Sequence, residues 1–164
     1  SNEYERLPES TKNKSVEQKE SDIVDFIKNP ILIKNSNKYD IFSEKVLQKL
    51  ILEDIENFLQ ELGSGFCYIA NEYKIKIGNN YNYIDLLLFN IEFNCYVVVE
   101  LKTTELKKEH IGQIEIYMNC INKNLKKITQ DRTIGIIVCK KNNKYIIEYS
   151  SDKRILACEY QLSY

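Results

Sequence analysis

The run Tyr96-Val97-Val98-Val99-Glu100-Leu101-Lys102 constrains this chain most. Three consecutive valines between an aromatic and an aliphatic residue have the composition of a buried strand. Alternation along a strand puts Val98, Glu100 and Lys102 on one face. A carboxylate and an ammonium are costly to bury beside valines unless they are paired or hold a cation. The strand is therefore expected to end at a cleft, with Glu100 and Lys102 facing it.

A second strand-like run, Tyr81-Asn82-Tyr83-Ile84-Asp85-Leu86-Leu87-Leu88-Phe89, precedes the first. Asn90-Ile91-Glu92-Phe93-Asn94 lies between them and reads as a turn. A hairpin tip at Glu92-Phe93 makes Asp85 oppose Glu100. Opposed residues in an antiparallel pair have Cβ atoms about 4.5–5.5 Å apart, close enough for two carboxylates to share one divalent ion. A register slip of one residue would turn one carboxylate to the other face.

The remaining elements follow from periodicity. Residues 1–20 are polar and aperiodic and read as an arm, or as the end of a missing N-terminal helical domain. The folded domain is expected over 21–164. A short helix is expected over 21–27, stopped by Asn29-Pro30. Ser43 caps a long helix whose apolar stripe runs from Val46 to Leu62, where Gly63-Ser64-Gly65 ends it. A strand follows over 66–77, and Gly78-Asn79-Asn80 turns it back. After the two strands above comes a helix with Ile111, Ile114, Met118, Ile121 and Leu125 on its apolar face. Strands are expected over 133–139 and 144–149.

Composition excludes several classes. The chain has 164 residues, 29% of them charged, and a net charge of −1. No segment approaches the roughly 20 apolar residues of a membrane span, and no secretory leader is legible. The five cysteines are scattered without a Cys-x-x-Cys pair and read as reduced core residues, which gives a cytoplasmic expectation. One histidine leaves no histidine cluster for zinc. The charge is uneven: residues 1–66 carry 9 basic and 13 acidic residues, whereas 101–144 carry 10 basic and 4 acidic. A local basic surface suffices for phosphate contacts.

Asp85 with Glu100-Leu101-Lys102 matches the Asp…Glu-x-Lys signature of metal-dependent phosphodiester hydrolysis. The other reading is a surface Glu–Lys pair at a strand end. With the helix, three strands, helix and strand around it, the pattern resembles the PD-(D/E)xK nucleases, and within them the YhcG-type nucleases. The resemblance rests on Phe58-Leu59-Gln60-Glu61-Leu62-Gly63-Ser64-Gly65-Phe66, on Tyr83-Ile84-Asp85-Leu86-Leu87, on Cys95 through Lys102, and on Glu159-Tyr160-Gln161-Leu162. It implies an α/β, restriction-endonuclease-like core: a central mixed sheet flanked by helices in the order αβββαβ. Tyr4-Glu5-Arg6-Leu7 resembles the end of that family's N-terminal region, so the native protein is expected to be longer.

The resemblance implies Mg²⁺- or Mn²⁺-dependent cleavage of DNA, in repair, recombination or defence. Asp85, Glu100 and the Leu101 carbonyl would hold the ion, and Lys102 would orient water or stabilise the transition state. Gln113 and Tyr117 match a Gln-x-x-x-Tyr element on the second helix. There the glutamine contacts the site and the tyrosine meets substrate or packs. Glu53 is the first-helix acid that could join the metal shell; a solvated helix face is the other reading for it and for Glu56. Lys107 and Lys108 are candidate phosphate contacts, and His110 reads as a bystander. The signature reads a phosphodiester and not a sugar, so RNA stays open beside DNA. A homodimer would suit two-strand cleavage, but no interface is legible. The alternative is a binding module of the same fold with weak or lost chemistry.

Overall fold

The computed structural model describes residues 23, 25 and 27–164. The expected arm over 1–20 lies outside the described residues. So does most of the expected helix over 21–27, of which Ile23 and Asp25 are helical. The strands are β1 (Ile31–Lys34), β2 (Phe66–Ile77), β3 (Asn80–Asn90), β4 (Cys95–Glu105), β5 (Ile134–Lys141) and β6 (Ile155–Ser163). The helices are α1 (Glu44–Glu53), α2 (Ile55–Leu62), α3 (Lys108–Asn124) and α4 (Lys144–Glu148).

One mixed six-stranded sheet runs β1-β6-β5-β4-β3-β2. The pairs β2–β3 and β3–β4 are antiparallel, and β4–β5, β5–β6 and β1–β6 are parallel. The sheet has a cluster on each face. One holds Leu86, Leu88, Val97, Val99, Leu101, Ile136 and Val138 against Leu47, Ile51, Phe58 and Leu62 of α1 and α2. The other holds Leu87, Val98 and Ile137 against Ile114, Met118 and Ile121 of α3. A central strand covered on both sides explains why β4 reads as a continuous apolar run. The αβββαβ core expected from the sequence is present. Among the described residues no helix is long and apolar enough to cross a membrane.

Ser43 caps α1 as expected, accepting from Val46 N at 3.3 Å. The apolar stripe beyond it does not lie on one helix. Asp54 leaves helical geometry (φ −142°, ψ 63°), and its carboxylate accepts from Asn57 N at 3.3 Å to start α2. Periodicity alone missed this break because the apolar spacing continues across it.

The Asn90–Asn94 turn has the expected register. Leu86 faces Val99, Leu87 faces Val98 and Asn90 faces Cys95. Asn90 Oδ1 accepts from both Glu92 N and Phe93 N, at 2.9 and 3.0 Å. Gly65 sits at φ +79°, and a Cβ there would stand 3.0 Å from Glu92 Cγ, so glycine is required beside this turn.

One expectation fails at the C-terminal end. The strand expected over 144–149 is the short helix α4, started by Asn143 Oδ1 accepting from Tyr145 N at 3.2 Å. Tyr-Ile-Ile flanked by polar residues suits either state. The place beside β5 is filled instead by β6, with Gly135 opposite Ile155. β1 was not foreseen, because four residues carry too short an alternation to stand out.

The five cysteines are free thiols; Cys95, Cys139 and Cys158 are buried, whereas Cys67 is exposed rather than in the core.

Candidate active site

The β3–β4 ladder ends at Leu86 and Val99. Asp85 and Glu100 would form the next pair, and there the strands part. Each carboxylate takes over a backbone donor of the opposite strand. Asp85 N donates to Glu100 Oε2 at 2.9 Å, and Leu101 N donates to Asp85 Oδ2 at 2.8 Å. The crossed bonds fix both side chains side by side. Gln48 on α1 locks the same point, donating from Nε2 to the Asp85 carbonyl at 3.0 Å.

The opening of the ladder has a counterpart on β2. Tyr73 pairs with Ile84 and Asn71 with Leu86, while Glu72 between them takes φ +49°. Left-handed backbone in a strand is a local kink of the kind that re-aims a neighbouring side chain. It stands where Asp85 must turn toward Glu100.

Burial and mutual repulsion set the charge of the pair. Glu100 is 4% exposed. Its carboxyl is pushed up to about 8, first by burial and then by the charge of Asp85. Asp85 is raised as well, mainly by burial, and opposed by the bond from Leu101 N. With no cation present the pair therefore keeps a proton near neutrality. Lys102 is the nearest compensating charge, favouring ionisation of both acids.

Lys102 is held from α3. Its Nζ donates to Gln113 Oε1 at 3.1 Å, Gln113 Nε2 donates to Tyr117 Oη at 3.3 Å, and Tyr117 Oη donates to Asn82 Oδ1 at 3.4 Å. This chain fixes the glutamine with its oxygen toward the ammonium. Gln113 thus stands where the sequence placed it. Tyr117 is 5% exposed and sits in the core cluster of α3, so its place is to pack and position Gln113. Of the two roles expected for it, substrate contact or packing, this burial is that of a packed residue.

The first-helix acid is a correction. Glu53 lies exposed at the far end of α1, where its Oε1 accepts from Tyr39 Oη at 2.9 Å. Five residues of helix put it about 140° around the axis from Gln48, whose side chain reaches Asp85. Glu56 is exposed beyond the helix break. The α1 acid that does reach β4 is Glu44, which accepts from Thr103 Oγ1 at 2.9 Å through Oε2. Sequence reasoning missed it, although it directly follows the capping Ser43.

Lys107 and Lys108 are exposed at the start of α3. His110 Nδ1 accepts from Lys107 N at 3.0 Å, so the imidazole closes the first turn of that helix. Burial, with Lys102 and Lys107, lowers its basicity and keeps it neutral at pH 7.

Among the described residues no three acidic, cysteine or histidine side chains cluster as metal ligands. The side chains that stand together there are Asp85 and Glu100. Two adjacent carboxylates held by backbone donors fit a hard divalent ion that keeps several waters. They do not fit a site closed entirely by protein.

Three relatives bear on this geometry. "Putative nuclease YhcG" of Escherichia coli (strain K12) is 23% identical over 139 residues, covering 83% of this chain and 37% of that protein. The chain thus spans little more than a third of that relative. Two solved structures share the fold. "Structure of EndoMS-dsDNA2 complex" has a TM-score of 0.53 at 20% identity, covering 71% of this chain and 44% of that one. "Structure of EndoMS in apo form" has a TM-score of 0.51 at 18% identity, covering 74% and 47%. The sequence profile of the YhcG PDDEXK nuclease domain matches residues 24–164. Its coverage of β1 through β6, with Asp85, Glu100 and Lys102 inside it, places this chain in the YhcG family of PD-(D/E)xK nuclease domains.

Proposed function

We propose that this domain is a divalent-cation-dependent nuclease that hydrolyses phosphodiester bonds in DNA. The observation that carries the proposal is the crossed Asp85–Glu100 pair with Lys102 held beside it by Gln113. Asp85, Glu100 and the Leu101 carbonyl would hold Mg²⁺ or Mn²⁺, which supplies charge neutralisation at the phosphate and a lowered pKa for water.

The remaining work falls to the protein. Asp85 and Glu100 are pre-positioned by backbone donors, so little reorganisation is needed when the cation arrives. Lys102 presents its ammonium to the non-bridging phosphate oxygens, where charge grows in the transition state. Gln113 keeps that ammonium from folding back onto the carboxylates. Lys107 and Lys108, exposed at the start of α3, would contact flanking phosphates. The domain bounds proposed are 21–164. DNA is preferred over RNA because a neighbour of the same fold is titled as a complex with double-stranded DNA.

The test is cleavage of linear, circular, flapped and branched DNA, with a matched RNA set, in Mg²⁺, Mn²⁺ or EDTA. DNA cleavage that needs the metal and disappears in Asp85→Ala supports the proposal. An intact, folded protein that cuts none of the DNA substrates in either metal counts against it.

A further inference from the structure

β2 and β3 continue as a two-stranded ribbon past the point where their sheet neighbour β4 leaves β3. The β3–β4 pairing stops at Leu86, but β2 and β3 stay paired out to Ile77 and Asn80. The ribbon has two unlike faces. Tyr73, Ile75 and Ile77 on β2, with Ile84 on β3, turn to the α3 side of the core. Asn82 on that side receives the Tyr117 hydroxyl. The opposite face is a checkerboard, because cross-strand partners share a face. Lys74 pairs with Tyr83, and Lys76 pairs with Tyr81. Tyr81 is 57% exposed and Tyr83 49%. Lys74 Nζ stands 4.0 Å over the centre of the Tyr81 ring and Lys76 Nζ 5.9 Å.

Residues 73–84 contain two lysines, three tyrosines and no acid. In a chain of net charge −1 that makes the outer face a local basic and aromatic surface. Tyr83 is two residues from Asp85, about 6.6 Å of strand, and Tyr81 is about 13 Å away.

We infer that the Lys74–Lys76–Tyr81–Tyr83 face is a binding surface for the unpaired nucleic-acid strand next to the bond cleaved at Asp85–Glu100. The inference rests on the nuclease reading above. Tyr81 and Tyr83 supply ring faces for bases, and Lys74 and Lys76 supply phosphate contacts. A single strand is favoured over a duplex because the surface is one ribbon wide. Exposed rings beside lysines are also the pattern of single-strand binding, where unpaired bases are free to stack.

The test is fluorescence anisotropy of the whole 164-residue chain with Ca²⁺ in place of Mg²⁺. Its probes are labelled oligothymidylate of about 12 nucleotides and a duplex of matched length. The Tyr81→Ala/Tyr83→Ala variant is expected to bind the single strand roughly 10- to 100-fold more weakly, and Tyr81→Phe/Tyr83→Phe within about 2-fold of wild type. Lys74→Ala/Lys76→Ala is expected to lower the salt dependence by about one to two ions. Thermal unfolding is run on each variant, so that a folding defect is not read as lost binding. A folded alanine variant that binds the single strand like wild type overturns the inference. So does weakening confined to the duplex. The failure of the nuclease reading looks different: wild type then neither cuts in Mg²⁺ nor binds either probe. A wild type that cuts, with ribbon variants that bind unchanged, removes the ribbon and leaves the nuclease.

Discussion

Glu100 is where the chain gives up stability for a charged site. Its ordinary pKa is 4.5, and in the fold it is about 8. Between those values the folded chain keeps a proton that the unfolded chain has lost. Unfolding then releases a proton, and stability falls as pH rises from about 4.5 to about 8. Glu100→Gln removes the ionisable group and keeps an acceptor for Asp85 N. At pH 8 the variant should be more stable than wild type by about 1–3 kcal/mol, with the gain shrinking toward pH 5. Urea unfolding at both pH values decides it; an equal difference at both would show that Glu100 does not titrate as described. Lys102→Ala should barely change stability, since Lys102 is only half-buried, yet it should lower cleavage by at least 100-fold. Gln113→Ala should lower it by about 10-fold, read in the same assay. Much of this residue-scale arrangement was legible. The turn fixed the register, and the register put Asp85 opposite Glu100. What was not legible was how Asp85 and Glu100 are held, because crossed side-chain-to-backbone bonds leave no pattern in sequence. Glu53 misled because acidic residues on an exposed helix face look alike until the helix is rotated into place.

At the scale of elements, α3 is positioned by Gly135. A Cβ at that point of β5 would lie 2.5 Å from Met118 Sδ and 3.0 Å from Ile114 Cδ1. Gly135→Ala should therefore destabilise by about 1–3 kcal/mol, seen as a lower urea midpoint. Because α3 also carries Gln113, the same variant should lose cleavage beyond what its stability explains. The break at Asp54 is a second such point. Asp54→Ala removes the cap of α2 and should cost about 1 kcal/mol. Elements with a strong buried pattern, β3, β4 and β5, could be read directly from the chain. The helix break, β1 and α4 could not. A cap that interrupts a continuous stripe, a four-residue strand and a five-residue helix all depend on what already occupies the space beside them.

Across the whole molecule, function collects at one end of the sheet. β3 and β4 diverge there, β4 and α3 bring Lys102 and Gln113 together, and α1 supplies Gln48 from the other face. The family match over 24–164 covers all of these elements. The most direct measurement is calorimetric titration of Mn²⁺ into wild type and Asp85→Asn at pH 7, in two buffers of different ionisation enthalpy. The account predicts a single site that releases a proton on binding, since Glu100 must ionise to act as a ligand, and loss of that site in Asp85→Asn. Binding that is undiminished in Asp85→Asn, or that releases no proton, would contradict it.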